Sequence, residues 1–260
     1  MNDWLRALRE RPGLAGGVDR DGGRAASLLA CGFASVEFGT AAPLPGEGGQ
    51  PGVAALVQRL TAVAAQPDRA RIGIGLGMNA GMAPEALGAQ WLAGMRAAWP
   101  VADYLCFNLS AAAYRPLLRP EYDGMIAGAL ATVAAERARL TARGGRRVGF
   151  ALKLPLDGPR PSAPARAALE SGFDALVTVL PEHAARIDWL HGWAIGARAG
   201  ATLIAVGGMR SAADVRAALQ AGAGGIQVHR AFVEQGAACI APLREGLAGL
   251  AGQAASFANS

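Results

Sequence analysis

Short apolar runs alternate along the chain with longer stretches of helical pattern, from one end to the other. The short runs predict strands over Leu14–Val18, Ser35–Phe38, Ile72–Gly75, Asp103–Phe107, Val148–Leu152, Ala175–Thr178, Leu203–Val206 and Gly225–Val228. Between them the pattern predicts helices, among them Arg24–Cys31, Pro84–Ala97, Met125–Arg143, Ala163–Ser171 and Ala212–Ala221. Strands that are apolar on both faces, each followed by a crossover helix, belong to a parallel sheet. Local signals agree. Ser211 followed by Asp214 reads as a helix N-cap, Gly222 as that helix's stop, and Ser162 as a cap for the helix after strand five. Thr40–Gly52, with prolines at 43, 45 and 51, reads as a long loop.

Eight β/α units, with no early G-x-G-x-x-G turn, favour closure into an α/β TIM (β/α)8 barrel over an open doubly wound sheet. The length of 260 residues suits one such barrel, so a single domain is expected over 1–260. The chain is 52% hydrophobic, enough for a full core without disulfides or metals. Its net charge of +5 comes from arginines scattered over helices and loops, which reads as a solvated surface rather than a nucleic-acid interface. Cys31, Cys106 and Cys239 lack metal-ligand spacing and predict a reduced, cytoplasmic protein. His183, His191 and His229 fall in separate loops, and no metal site is expected. No apolar run is long enough to cross a bilayer, and the charged first ten residues do not read as a signal peptide, so no membrane association is expected.

In a barrel of this kind the chemistry sits on the loops that follow the strands. Strand one leads into Gly16-Gly17-Val18-Asp19-Arg20, where small residues let a flat ligand approach the backbone. Glu37, inside an apolar strand, must face the barrel interior or a partner, and a structural ion pair is the expected role. Asn108, at the end of strand four, offers donors and an acceptor that suit a heterocycle or an amide. Cys106 shares its parity and should lie one layer deeper, as a small core filler. Lys153, the only lysine in the chain, sits in the apolar run Phe150–Leu154, where an amine is costly to bury unless it faces negative charge. Gly207-Gly208 after strand seven and His229-Arg230 after strand eight stand where such barrels commonly bind phosphate.

These residues carry a resemblance. The segment GLAGGVDRDGGRAASLLACGFASVEFGTAAPLPGEGG resembles the opening of the membrane-associated class of dihydroorotate dehydrogenases. ADYLCFNLS resembles that family's active-site strand, VGFALKLPLD its flavin-lysine strand, and LIAVGGMRSAADVRAALQAGAGGIQVHRAF its phosphate cradle, all in the family's order. The resemblance implies FMN as cofactor. By position, Gly16, Gly17 and Thr40 match flavin contacts, Arg20 a lysine touching cofactor and substrate, and Asn108 an asparagine shared by flavin and orotate. Lys153 matches the lysine beside the flavin's pyrimidine end. Thr178 falls near the strand-six Thr-Asn pair, one residue out of step. Gly192 resembles a glycine near the phosphate, and Gly207, Gly208, His229 and Arg230 fall at the cradle itself.

The departures from the family concentrate on the substrate. Ala111 occupies the position of the serine or cysteine general base, Ala113 replaces a substrate-binding asparagine, Gly75 a flavin-contacting asparagine and Met78 a lysine. The orotate-gripping segment between strands two and three and the N-terminal membrane helix pair have no counterpart. A methyl group cannot accept a proton, so dihydroorotate oxidation is not expected; Ser110, in the position of a structural serine, is the one substitute base nearby. Three readings stay open. The first is a flavin-dependent oxidoreductase acting on another small anionic or heterocyclic molecule, with Lys153 and Ser110 as candidate catalytic groups and Arg20 and Asn108 holding substrate. The second is a non-catalytic flavin- or phosphate-binding relative, a homo-oligomer or a subunit of another enzyme. The third is a flavin-free barrel that uses the Lys153 amine.

Overall fold

The computed structural model describes residues 2–46, 50–197 and 200–257; residues 47–49, within the loop expected over Thr40–Gly52, lie outside the described residues. Eight strands close into one barrel in sequence order: β1 Gly13–Leu14, β2 Ser35–Ala41, β3 Arg71–Leu76, β4 Tyr104–Asn108, β5 Gly149–Pro155, β6 Ala175–Val179, β7 Thr202–Val206 and β8 Gly225–Val228. Every neighbouring pair is parallel, and β8 returns to β1 through Leu14 beside Val228. The expected eight-stranded barrel is therefore the fold.

Most strand ends differ from expectation by a residue or more, β5 reaching Pro155, and the two that bear on the site are those of β1 and β2. β1 stops at Leu14 rather than Val18, because Gly17 adopts φ +107° and leaves the ladder, although Ala15 N–H still bonds Val228 C=O and Gly17 N–H bonds Gly39 C=O, both at 2.8 Å. β2 runs on to Ala41, so Thr40 is the next-to-last residue of a strand instead of the first of a loop.

The helices are α1 Asp3–Ala7, α2 Ala25–Leu29, α3 Val53–Ala64, α4 Leu87–Ala98, α5 Asp123–Gly144, α6 Ala163–Glu170, α7 Arg186–Ala197, α8 Ala212–Gln220, α9 Arg230–Gln235 and α10 Ile240–Phe257. Each longer helix buries one stripe: Val53, Leu56 and Leu60 of α3, and Leu87, Trp91, Met95 and Ala98 of α4, recur at helical spacing and are fully covered. Burying such a large side chain contributes roughly 1.5–3 kcal/mol. α8 starts with the expected capping box, in which Ser211 Oγ accepts from Asp214 N–H while Asp214 accepts from Ser211 N–H. Ser162 stands at the N-cap of α6 as expected, but its side chain makes no capping bond.

Two cores result. The outer one fills the space between strands and helices. The inner one fills the barrel, where Ala15, Ala151, Ala175, Val177 and Ile204 surround Tyr104 and Cys106. α1 closes the lower end: the Trp4 ring stacks on Tyr104 with centroids 4.1 Å apart, against Gly149, where a β-carbon would come within 2.2 Å of the Trp4 indole nitrogen. The upper end, at the C-terminal ends of the strands, stays open.

Candidate active site

The polar part of the barrel interior is built from alternate residues of different strands. In β4, Tyr104, Cys106 and Asn108 all point inward, one layer above another. Cys106 is fully buried, and burial, with the negative charge of Glu37, pushes its thiol well above the ordinary range. It is a core filler, not a nucleophile.

Beside it, Lys153 of β5 donates to Glu37 Oε1 of β2 at 3.2 Å, with both side chains almost fully buried. Burial pulls the amine's pKa down, but the charge and hydrogen bond of Glu37 more than offset this, and the net shift is upward. The amine is therefore a cation. It has three donors, only one of which meets Glu37, and it lines the cavity above. Glu37 Oε2 accepts in turn from Gln227 of β8, whose amide also reaches the Tyr104 hydroxyl. The expected ion pair at Glu37 thus proves to be part of a four-residue network that fixes the height of Lys153.

Asn108 is held from two sides. Its amide nitrogen donates to Thr40 Oγ1 at 2.6 Å, and its oxygen accepts from both the backbone N–H and the hydroxyl of Ser110, at 2.9 and 2.8 Å. One amide proton is left to face the cavity. The same bond commits the Ser110 proton to Asn108.

Above these groups lies a cavity of about 510 Å³, bounded by Gly16, Gly17, Thr40, Asn108, Lys153 and His229. Arg20, Ser110, Ala111 and Ala113 complete it on the loop side. Missing β-carbons shape its floor. One at Gly16 would stand 2.7 Å from Glu37 Oε1, and one at Gly17 would stand 3.3 Å from His229 Nε2. Arg20 is presented by a loop that Asp19 organises: its buried carboxylate accepts from the N–H groups of Asp21, Gly22 and Arg24. Burial, together with the charges of Lys153, Arg20 and Arg230, holds the His229 imidazole below its usual range.

A second cavity, of about 650 Å³, shares Val179, Val206 and His229 with the first. Its walls are Gly207 and Gly208, both at positive φ, and the turn from β8 into α9 at His229 and Arg230. Three guanidinium groups edge it, those of Arg186, Arg210 and Arg230, against the carboxylates of Glu182 and Asp214. A β-carbon on Gly208 would come within 2.4 Å of Arg186 Nη1, so the glycine makes room for that side chain. Sequence reasoning passed over Arg186. It opens α7 amid ordinary surface residues, and nothing local distinguishes it from the other arginines.

Two expected site residues stand elsewhere. Val177 and Val179 face the barrel axis, so Thr178 between them faces the helix layer, where its hydroxyl donates to Ile204 C=O at 3.3 Å. Val179 takes the place at the cavity that Thr178 was expected to hold. Gly192 lies within α7, packed so closely on the loop after β5 that a β-carbon would come within 2.0 Å of Pro159 C=O. It is not among the residues that line either cavity. Gly75 faces Glu37 from below, with space for a β-carbon 3.5 Å from Oε1, and presents no amide. Among the described residues no group of three His, Cys, Asp or Glu side chains could hold a metal ion, and no helix is long and apolar enough to cross a membrane.

No family model matches the chain. It is 30% identical over 281 residues to the dihydroorotate dehydrogenase (quinone) of Methylococcus capsulatus, across 92% of this chain and 83% of that protein. It is 28% identical to the corresponding protein of Shewanella frigidimarina, across 86% and 79%. Its backbone is similar to the crystal structure of DHODH from Eimeria tenella in complex with ferulenol, with a TM-score of 0.80 at 19% sequence identity, covering 95% of this chain and 82% of that one.

Proposed function

The chain belongs to the dihydroorotate dehydrogenase family, and on that premise we propose that it is an FMN-dependent oxidoreductase whose substrate is a small anionic or heterocyclic molecule other than dihydroorotate. The observation that carries this reading is the adjacency of two cavities that share His229 as a wall, one floored by the Lys153 amine, the other edged by three arginines and two positive-φ glycines. The residues present fit FMN. Gly207, Gly208 and Arg186 would hold its phosphate, and Gly16, Gly17, Thr40, Asn108 and Lys153 its ring system. Thr178 and Gly192 take no part.

FMN supplies hydride acceptance and release when bound. The chain's own residues do the rest. Lys153 keeps a fixed cation at the floor of the cavity, which would stabilise negative charge on the cofactor's ring, and Glu37 holds that amine in place. Asn108, locked by Thr40 and Ser110, would offer its remaining amide proton to the bound ring. Arg20 neutralises an anionic group on the substrate.

What sets the substrate apart is the wall formed by Ala111 and Ala113. Two methyl groups line the cavity where proton abstraction from dihydroorotate would need a base, and the Ser110 hydroxyl already donates to Asn108. A substrate that needs no strong base at that wall, or that brings its own acidic proton, matches these groups. The same wall also favours a second reading, a flavin- or phosphate-binding subunit without turnover of its own.

The visible absorption spectrum of the purified protein tests the proposal. Oxidised-flavin bands, present as isolated or after addition of FMN, are expected. A colourless protein that takes up no FMN overturns the flavin reading. Bound flavin that no donor reduces leaves the subunit reading in its place.

A further inference from the structure

We propose that Glu182 is a specificity-determining residue of the arginine-edged cavity: with Arg230 it closes the outer side of the phosphate seat, so that the cavity takes a terminal monophosphate and rejects a second phosphate beyond it. The inference rests on reading Gly207 and Gly208 as the seat of the cofactor phosphate, as above.

The pair spans the cavity. Glu182 belongs to the loop between β6 and α7, and Arg230 is the first residue of α9, two residues after β8. β7 lies between β6 and β8 in the sheet, so the hydrogen bond from Arg230 Nη1 to Glu182 Oε1, at 2.8 Å, runs across the end of β7, where Gly207 and Gly208 stand. Val206, Gln227 and Val228, all buried, line the inner part of the same cavity. Glu182 and Arg230 form its outer rim, with side chains 79% and 62% exposed. His229 marks the side on which this cavity meets the polar one. A ligand whose ring lies over Lys153 therefore reaches the seat past His229, and anything attached beyond its phosphate runs into the rim.

The loop that carries Glu182 is tied at both ends. Before it, Leu180 N–H donates to Val206 C=O at 2.7 Å, and the Leu180 carbonyl oxygen stands 2.9 Å from where a β-carbon of Gly207 would be. After it, the His183 ring stacks on Trp189 of α7 with centroids 4.8 Å apart, and its Nδ1 accepts from Ala185 N–H at 3.1 Å. The His183 carbonyl accepts from Arg186 N–H at 3.1 Å. The backbone of Glu182 is thus held at the rim. The Arg230 guanidinium, and after it those of Arg210 and Arg186, keep its carboxyl below the usual range. All three arginines of the cavity act on this one carboxylate.

Charge and donors point the same way. A single phosphate on the glycines stands among the three guanidinium groups, whereas a second phosphate would stand beside Glu182, where like charges repel. The other carboxylate, Asp214, is fixed: its Oδ2 accepts from the N–H groups of Arg210 and Ser211 at 3.2 and 2.9 Å. The backbone donors at the start of α8 are therefore already engaged. A second phosphate meets carboxylates where it needs N–H groups. Without the charge of Glu182, the same arginines would draw the larger anion in.

The test uses the full chain stripped of flavin, titrated calorimetrically with FMN and FAD, and with inorganic phosphate and pyrophosphate as probes that carry no ring. FMN is expected to bind more tightly than FAD. Glu182→Gln should narrow that gap about fivefold and shift the balance between phosphate and pyrophosphate toward pyrophosphate by a similar factor, the reach of one surface charge pair. Glu182→Asp, which keeps the charge, should keep the preference. Arg230→Gln removes a cation and is expected to weaken FMN and inorganic phosphate alike. Equal binding of FMN and FAD by the unmodified protein overturns the proposal. Ratios that Glu182→Gln leaves unchanged, in a protein that takes up FMN, overturn it and leave the flavin reading standing. A shift toward pyrophosphate in a protein that takes up no FMN supports the rim and overturns the flavin reading. Binding of none of the four probes overturns both.

Discussion

The Lys153 amine on β5 and the Glu37 carboxylate on β2 meet at 3.2 Å across the barrel interior, with side chains only 8% and 1% exposed. Two strands, β3 and β4, separate them around the barrel wall in one direction and four in the other, so closure of the sheet brings them together across the interior. Each neutralises a charge that burial would otherwise make costly.

Replacing one partner therefore leaves the other stranded. Lys153→Met is expected to destabilise the fold by about 3–5 kcal/mol, the range for breaking a buried pair. The double variant Glu37→Gln with Lys153→Met should recover much of that loss. Denaturant unfolding of the two single variants and the double, as a thermodynamic cycle, measures the coupling.

Gly17 has φ +107° and faces His229 Nε2. A residue with a β-carbon is disfavoured in that conformation by about 1–2 kcal/mol, and it also intrudes on the cavity floor. Gly17→Ala is expected to weaken FMN binding at least about tenfold, measured by quenching of flavin fluorescence, with the near-ultraviolet circular dichroism of the core unchanged.

Ala111 and Ala113 line the cavity at the positions where the family resemblance expects a base and an amide. The unmodified protein is expected to show no flavin reduction by dihydroorotate in anaerobic stopped flow. Ala111→Ser combined with Ala113→Asn should raise that rate by at least about 10²-fold, the lower end of what a positioned base contributes. Rapid reduction of the unmodified protein by dihydroorotate would show that another group supplies the base.

Glu136 of α5 accepts from Arg139 and from Arg96 of α4, at 2.5–2.7 Å. These bonds, Arg139 first, hold its carboxyl down from 4.5 to about 2. A carboxyl whose pKa is lower in the folded state contributes stability that is complete above its unfolded value and is lost as pH falls toward the folded one. Both arginines are substantially exposed, so solvent screening reduces the benefit to about 1 kcal/mol. Glu136→Gln is expected to cost that much at neutral pH, with the difference shrinking between pH 4.5 and 2. Thermal unfolding across that range checks it.

Much of the site was legible because single strands announce their own chemistry. An amine inside an apolar run, an amide at a strand end and paired glycines before a capped helix are local signals, and Lys153, Asn108 and Gly207-Gly208 all line the two cavities. Thr178 shows the limit. Alternation says that Thr178 and Val179 face opposite ways, but not which of them faces the barrel axis; the pairing of Val177 with Lys153 decides that. Gly192 and Arg186 show a second limit, since one packs on a distant loop and the other reaches a cavity from a helix end, and neither contact has a trace in nearby sequence.

By itself the sequence determined the eight strands, their order and the apolar stripes of the helices, because hydrophobic periodicity depends only on residues close along the chain. Tertiary structure alone decided which polar side chains share a space: the Lys153–Glu37–Gln227 network and the meeting of two cavities at His229. Those groups come from strands and loops far apart in sequence, and their distances are set by how the sheet closes and how the loops pack.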